Sequence, residues 1–365
     1  MLDPAFAWSP PRLDLEATRR AATRQAALTK PTGSLGVLED IALKLAALQG
    51  RELPLARPAA ALVFASDHPV ARHGVSAYPP EVTAAMLANF AAGGAAASVL
   101  ARLHRLPLRI VDVGVDRGPN TQRDRPHAAG AEVVRRELGG QAGDLLHSDA
   151  MTPELYAAAL AAGADEVDAL GPELRVLVLG EMGIGNSTAA AAVYAGLLGG
   201  DPGMYGGPGT GVQGEALARK RALLCAAVER ARRAHPELHD DPHRALQSLG
   251  GRDIAAITGA MARAISRGVA VLVDGYIVGA AALALCRLDP GWRTGMIFAH
   301  RSAEPGHPRA LQAMDATPLL DLGMRLGEAS GALVAFPIVE AACALHADMA
   351  TFAEAHVPDR KDMSS

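Results

Sequence analysis

The sequence has few aromatic residues and few cysteines for its length. Aromatic residues make up 4% of the 365 residues although 50% are hydrophobic, so alanine, leucine and valine must build most of the core. This apolar content excludes an intrinsically disordered chain, which is poor in apolar residues and high in net charge. A chain of this length is expected to form about two domains or one large α/β domain.

The sequence also lacks clustered basic charge, a cysteine framework and a signal peptide. Its net charge is −4, and its lysines and arginines are scattered, so we predict no nucleic-acid partner. Three isolated cysteines, Cys225, Cys286 and Cys343, predict free thiols in a cytoplasmic protein. The N-terminal residues lack the basic and apolar regions of a signal peptide. The longest uncharged stretch, 182–200, is rich in glycine and polar residues, so we predict no membrane span.

Short apolar runs alternate along the chain with alanine-rich segments of helical periodicity. The predicted strands are 61–66, 108–115, 175–180, 269–274 and 295–300. The predicted helices between them are 82–103, 188–198, 215–234, 254–264 and 277–286. This alternation is typical of an α/β fold with a mostly parallel sheet covered on both faces by helices.

Both ends of the chain are predicted to be helical, with strands only between them. Helices are expected over 13–22, 38–48 and from residue 329 to about 355. We therefore predict a small helical domain built from residues 1–55 and 329–365, next to a large catalytic α/β domain of residues 56–328. Ligands of open α/β sheets bind outside the carboxyl ends of the strands, so the strand exits are the candidate site.

The most distinctive strand exit is the sequence GEMGIGNST, which spans Gly180–Thr188. Its glycines allow the backbone to approach an anion closely, and its polar residues can cap a helix whose N-terminal amides bind phosphate. The same sequence would also suit a tight capped turn without a ligand. Glu181 favours a binding role, because an acid beside a phosphate is unfavourable unless it serves the sugar or the chemistry.

Three further segments carry candidate functional residues. The glycine loop 206–211 precedes a helix with Lys220, which can reach a phosphate or can simply lie on a solvated face. Glu328 stands alone among apolar and small residues; it suits a general base, or it is a first-turn acid favoured by the helix dipole. The stiff loop 73–80 can form a slot for a flat ligand, or a plain structural loop.

Metal sites and nucleophiles find little support in the sequence. The pair Asp67 and His68, and the group His300, Glu304 and His307, lack the spacing of zinc motifs. No serine elbow or reactive cysteine context is present. We predict no metal and no cofactor.

Taken together, these segments resemble the nicotinate-nucleotide–dimethylbenzimidazole phosphoribosyltransferase family, which makes the lower-ligand nucleotide of cobalamin. The matching segments cover almost the whole chain: TKPTGSLG (29–36), GVSAYP (74–79), DVGVD (112–116), GEMGIGNST (180–188), GTG (209–211), VDGYI (273–277), PLLDLGMRLGEASGA (318–332) and MATF (349–352). The resemblance implies a homodimer with a Rossmann-like parallel sheet and a small domain made from both chain ends.

The resemblance also implies the reaction and the site residues. The reaction is transfer of phosphoribose from nicotinate mononucleotide to 5,6-dimethylbenzimidazole or a related base, giving α-ribazole 5′-phosphate and nicotinate. Glu328 is implied as general base, with Glu181 stabilising positive charge on the ribose. The implied substrate-binding residues are Ser76, Tyr78, Pro79, Ala85, Gly183, Ile184, Gly185, Asn186, Gly209, Thr210, Gly211, Lys220, Asp274, Gly275, Ser302 and Leu326.

The sequence departs from the family pattern at three places. Ala85 stands where the family usually has a glutamine that faces the aromatic base, so we expect a less selective base slot. The segments 66–70 and 251–254 also differ from the usual pattern. Two alternatives stay open: another phosphoribosyltransferase or nucleotide hydrolase on the same scaffold, and a non-catalytic protein that binds an azole or a nucleotide.

Overall fold

The computed structural model describes residues 8–116 and 130–358. The strands are β1 (Ala59–Ser66), β2 (Leu108–Gly114), β3 (Glu132–Arg135), β4 (Val176–Met182), β5 (Ala270–Val273) and β6 (Met296–Phe298). The helices are α1 (Leu15–Ala27), α2 (Val37–Gln49), α3 (Val82–Ala92), α4 (Ala96–Leu103), α5 (Pro153–Ala169), α6 (Asn186–Leu198), α7 (Gly214–Ala234), α8 (Pro242–Leu249), α9 (Arg252–Ser266), α10 (Tyr276–Leu288), α11 (His307–Ala313) and α12 (Ser330–Asp348). Short 3₁₀ helices span Pro69–His73, Pro202–Met204 and Pro290–Gly295.

The described strands form one parallel sheet in the order β3-β2-β1-β4-β5-β6. This is the strand order of a Rossmann fold, so the predicted fold class is confirmed. The order reverses between β1 and β4, and a crevice opens at such a reversal beyond the carboxyl ends of the strands. The exits of β1 and β4 are therefore the place where this fold offers a binding site.

Alternating side chains on each strand build two separate cores, one on each face of the sheet. In β1, Leu62 and Phe64 pack into the core beneath α5, α6 and α8–α10, whereas Ala61 and Val63 pack into the core beneath α2, α3, α4 and α12. All eight residues of β1 are buried, as expected for a strand with helices on both sides.

The helices from the two chain ends pack on one another. Helix α2 contacts both α1 and α12, and α12 also lies against β4 and β5. An isolated bridge joins Leu28 to Thr351 near the two ends. Because α12 shares its core with the sheet, the division into residues 1–55, 56–328 and 329–365 stays a prediction about domains.

The structure corrects the bounds of two predicted helices, and it has a strand β3 and a helix α5 that the predicted elements lack. The helix expected over 82–103 is two helices, because α3 ends at Gly93, whose φ of +83° is left-handed backbone that favours glycine. The C-terminal helix ends at Asp348 rather than near residue 355. Two stretches, 82–103 and 330–348, are long and apolar enough to cross a membrane by length and composition, a test that core helices of globular proteins also pass.

Candidate active site

A cavity of about 670 Å³ opens at the carboxyl ends of the central strands. Its volume lies within the usual range for small-molecule sites. Its walls come from the exits of β4, β5 and β6, from the loop 76–78, from α3, from the loop 209–210 and from the segment 325–328. The cavity is therefore assembled from segments that are distant in the chain and that the sheet brings to one edge.

Most of the predicted site residues line this cavity. They are Ser76, Tyr78, Glu181, Gly183, Ile184, Gly185, Asn186, Gly209, Thr210, Asp274, Gly275, Ser302, Leu326 and Glu328. Pro79, Ala85, Gly211 and Lys220 are not among the lining residues. Pro79 is exposed and Gly211 is half-buried; their neighbours Tyr78 and Thr210 are the lining residues of the two loops.

The residues of α3 that line the cavity do not include Ala85, the predicted base contact. Ala85 is exposed, whereas Val82 and Met86 line the cavity. These two are four residues apart and so share one face of the helix. The side chain that can touch a ligand from this helix near the predicted position is therefore Met86.

Lys220 is not on a solvated face. It is 1% exposed, and its Nζ donates a hydrogen bond to Ser187 Oγ at 2.9 Å. Burial lowers the pKa of Lys220 to about 8. Ser187 and Gly209 line the cavity, and a Cβ on Gly209 would lie 2.8 Å from Nζ of Lys220. The ammonium of Lys220 therefore lies directly behind the part of the cavity wall that Ser187 and Gly209 form.

The loop from Gly180 to Asn186 is held by contacts with the exit of β1. A Cβ on Gly183 would lie 2.5 Å from the carbonyl oxygen of Ser66. Gly185 has a φ of +98°, which an L side chain rarely adopts. The packing and the backbone conformation of the loop therefore require these two glycines. The sequence pattern indicated a different reason, the close approach of an anion.

Replacing Gly183 by alanine should therefore destabilise the protein. We expect a loss of about 1–3 kcal/mol, the usual cost of overpacking, seen as a lower melting temperature. Gly203→Ala is the control, because its Cβ would approach only the Asp201 side chain, at 3.3 Å. Equal melting temperatures for the two variants, with weaker nucleotide binding for Gly183→Ala alone, would show instead that the ligand requires this glycine.

Glu181 is a buried acid at the floor of the cavity. Burial raises the pKa of its carboxyl well above the usual value, and the nearby carboxylates of Asp253 and Asp274 raise it further. The amide of Asn186 donates a hydrogen bond to Oε2. A positive charge placed beside this group would stabilise its ionised form, so the site favours a cationic ligand here.

Glu328 lies at the opposite end of the segment from Arg325 and is also buried, at 6% exposure. Its backbone has a φ of +60°, and it precedes α12 rather than lying in its first turn. Burial raises the pKa of its carboxyl, and the backbone N–H groups of Ala97 and Ala96 lower it. Oε2 has no hydrogen-bond partner within the described residues, so it is available to accept a proton or a hydrogen bond from a ligand.

Asp274 and His300 form a buried pair on the next wall. Oδ1 of Asp274 accepts a hydrogen bond from the backbone N–H of Ala332 at 2.8 Å, and burial raises the pKa of Asp274 to about 7. Nε2 of His300 is 3.9 Å from the same oxygen. Burial lowers the pKa of His300, which favours a neutral imidazole.

The sequence analysis missed Glu304 and Arg325 as cavity residues. Oε1 of Glu304 accepts a hydrogen bond from the backbone N–H of Gly209 at 2.8 Å, and Arg325 donates to the carbonyl oxygen of Gly209 at 2.9 Å. Arg325 is the first residue of the RLGE motif that Glu328 ends, and this motif is the signal that would have found it. The sequence places Glu304 only in a possible metal-binding group with His300 and His307. The spacing of these three residues does not show that the fold brings Glu304 to Gly209.

The loop 74–79 is tied to the same corner. The hydroxyls of Ser76 and Thr210 are 2.8 Å apart, and the backbone N–H of Ala77 donates to Thr210 Oγ1 at 3.0 Å. The cavity thus has a polar corner with Lys220 and Arg325, an acidic floor, and an apolar wall. The apolar residues of the lining, here called the apolar wall, are Tyr78, Val82, Met86, Ile184, Ile277 and Leu326.

A family model described as phosphoribosyltransferase matches residues 11–357 of the chain. The chain belongs to this phosphoribosyltransferase family. Nicotinate-nucleotide–dimethylbenzimidazole phosphoribosyltransferase of Ectopseudomonas mendocina (strain ymp) is 48% identical, over 95% of this chain and 96% of the relative. The protein of that name from Azotobacter vinelandii (strain DJ / ATCC BAA-1303) is also 48% identical, with 95% and 96% covered.

Solved structures support the same phosphoribosyltransferase assignment. A crystal structure of CobT from Thermus thermophilus is 40% identical, covers 94% of this chain and 99% of that chain, and superposes with a TM-score of 0.85. The family resemblance predicted from the motifs is confirmed.

Proposed function

We propose that the protein transfers the phosphoribosyl group of nicotinate mononucleotide to 5,6-dimethylbenzimidazole or a related base. The products are α-ribazole 5′-phosphate and nicotinate, in the assembly of the lower ligand of cobalamin. The observation that carries the proposal is that Glu328, whose Oε2 has no partner within the described residues, and Arg325 line one cavity, with the ammonium of Lys220 behind its wall on Ser187. The named relatives support the choice of substrates.

The nucleotide is proposed to bind with its phosphate at the cationic corner. The N-terminus of α6, where Ser187 lines the cavity, also lies near this corner. The ribose then lies over the acidic floor at Glu181. As the bond from C1′ to the pyridinium nitrogen breaks, the ribose gains oxocarbenium character, and carboxylates at Glu181 and Asp274 stabilise it electrostatically.

The base is proposed to bind against the apolar wall of Tyr78, Met86 and Leu326. One benzimidazole nitrogen attacks C1′ from the face opposite the departing nicotinate, which inverts the β linkage to α. The other nitrogen loses its proton to Glu328. A positioned general base accelerates such a step about 10²–10⁴-fold, and holding both substrates in line contributes further.

Mass spectrometry of the products tests the function. The protein is incubated with nicotinate mononucleotide and an equimolar mixture of dimethylbenzimidazole, benzimidazole and adenine. We expect a ribosyl phosphate adduct of at least one base, formed together with nicotinate. Ribose 5-phosphate with free nicotinate would indicate a hydrolase, and bound but unchanged substrates would indicate a binding protein; either result would refute the transfer.

The preference among bases should depend on Met86 rather than on Ala85. A glutamine at position 86 adds a polar group to the apolar wall, and one hydrogen bond is worth about 0.5–1.5 kcal/mol. In competition assays, Met86→Gln should change the ranking of the bases by up to about tenfold. Ala85→Gln is the matched control and should rank them as the wild type does. A changed ranking in Ala85→Gln together with an unchanged ranking in Met86→Gln would show that Ala85, and not Met86, contacts the base.

We also propose a cytoplasmic homodimer, as the family resemblance implies. Exposed apolar side chains on α4, Leu103 at 69% and Val99 at 45% exposure, support an interface on this face. Helix α4 begins beside Glu328, so such an interface would lie near the cavity. Light scattering coupled to size-exclusion chromatography should give twice the chain mass of 37.6 kDa; the mass of a single chain would contradict the dimer.

A further inference from the structure

Three metal-ligating side chains meet outside the cavity. Within residues 8–116 and 130–358, His73, Asp144 and His147 bring one possible ligand atom each to within 4.8 Å of one another. Nε2 of His73 is 2.6 Å from Asp144 Oδ2, and the two imidazole rings are 6.2 Å apart between centroids. None of the three lines the cavity, so the group is separate from the site described above.

The backbone holds two of these side chains on one turn. The backbone N–H groups of His147 and Ser148 donate to the carbonyl oxygen of Asp144 at 2.9 and 2.8 Å. Oδ1 of Asp144 accepts a further hydrogen bond from the N–H of Leu146 at 3.1 Å. This fixes the carboxylate with Oδ2 directed to His73, so one ligand pair is already in place before any ion binds.

The third side chain comes from a distant part of the sequence. His73 ends the 3₁₀ helix that starts at Pro69, and the following Gly74 has a φ of +72°, which stops the helix there. Segments that meet in this way are held by the tertiary fold, so the geometry of the group does not depend on local flexibility. His147 is exposed, and its ring can rotate toward the other two.

We propose that His73, Asp144 and His147 form a binding site for a divalent transition-metal ion of the zinc class. Two imidazoles and one carboxylate are a donor set that zinc uses, with water completing four-coordination. Ligands at about 2.0–2.1 Å from a tetrahedral ion lie about 3.4 Å apart. The His73–Asp144 pair, now 2.6 Å apart, would therefore open slightly, and His147 would move closer to both. Zinc replaces the proton shared by His73 and Asp144, which is released to solvent.

The chemistry of the ligands selects the class of ion. Imidazole nitrogens favour zinc, nickel and copper over magnesium and calcium, which prefer oxygen ligands. Two of the three donors are imidazoles, so magnesium should not compete. A bound ion would join the 144–148 turn to the segment that leads into Ser76, whose hydroxyl contacts Thr210 in the cavity wall.

Calorimetric titration of the untagged, chelator-treated protein with zinc chloride tests the proposal. We expect one site per chain, with at least a tenfold loss of affinity in His147→Ala and in His73→Ala. His239→Ala is the matched control, because His239 is an exposed histidine outside the group, and it should bind zinc as the wild type does. Excess magnesium should leave the titration unchanged.

His147→Ala keeps the proposal testable even if the hydrogen bond of the half-buried His73 to Asp144 proves necessary for folding. His147 is exposed, so its removal should leave the melting temperature of the metal-free protein unchanged. Cobalt bound in place of zinc should also give visible absorption bands that this variant lacks. No zinc binding by the wild type, or equal affinity in the wild type and His147→Ala, would overturn the site.

Discussion

Glu328→Gln is expected to lower the turnover number about 100-fold or more, the range of a lost general base. The amide keeps the size of the side chain but cannot take the proton from the attacking base. Binding of nicotinate mononucleotide should change by less than about twofold, because the lost interaction belongs to the transition state. Steady-state kinetics together with a binding titration of the nucleotide alone separates the two effects.

The pH profile gives a second measure of the same carboxylate. A general base works only when ionised, so activity should be present above the raised pKa of Glu328 and fall as the pH drops through it. In Glu328→Gln this part of the acid limb should disappear. Glu137→Gln is the control, because the Glu137 side chain is 82% exposed. Turnover near the wild-type value in Glu328→Gln would remove this residue from the base role.

Lys220→Met is expected to weaken nucleotide binding by about 10–100-fold, which corresponds to the 1.5–3 kcal/mol of a hydrogen bond to a charged group. Methionine fills the same buried space without the ammonium. Without ligand, burial lowers the lysine pKa to about 8; a bound phosphate would raise it again and stabilise the charge. The effect should appear as a higher KM for the nucleotide, with the KM for the base little changed.

Lys44→Met is the matched control for this prediction. Lys44 is half-buried, burial lowers its pKa to about 8 as it does for Lys220, and its Nζ donates to the carbonyl oxygen of Arg293 at 3.4 Å. It lies at the amino end of β6, at the edge of the sheet away from the cavity. Nucleotide binding should be unchanged in this variant. Equal effects of the two substitutions would mean that Lys220 acts through stability alone.

The sheet was largely predictable from the sequence because its strands are buried on both faces. The run 61–66 is apolar up to Ser66 and the run 175–180 is apolar from Val176 to Leu179, and the structure has β1 and β4 there. β3 was missed because it is a four-residue strand whose side chains are only partly buried. A short edge strand lacks the apolar run that marks a central one.

The candidate site was predictable where a motif carries its own chemistry. Glu181 and Glu328 stand in distinctive motifs, and the structure places both on one cavity. The position of Glu304 in the cavity depends on the path of the chain after β6, and a sequence pattern does not show that path. The choice between Ala85 and Met86 required the rotation of α3 about its axis, and a glycine-free helix with alanines on several faces does not define it.

The measurement that tests the central claim most directly is proton NMR of the reaction at C1′. Nicotinate mononucleotide and dimethylbenzimidazole are mixed with the protein, and the anomeric signals are followed with time. The account predicts loss of the β-nucleotide signal, gain of an α-ribosyl benzimidazole signal, and one free nicotinate for each product formed. A β-linked product, or nicotinate released with ribose 5-phosphate whether or not the base is present, would contradict it.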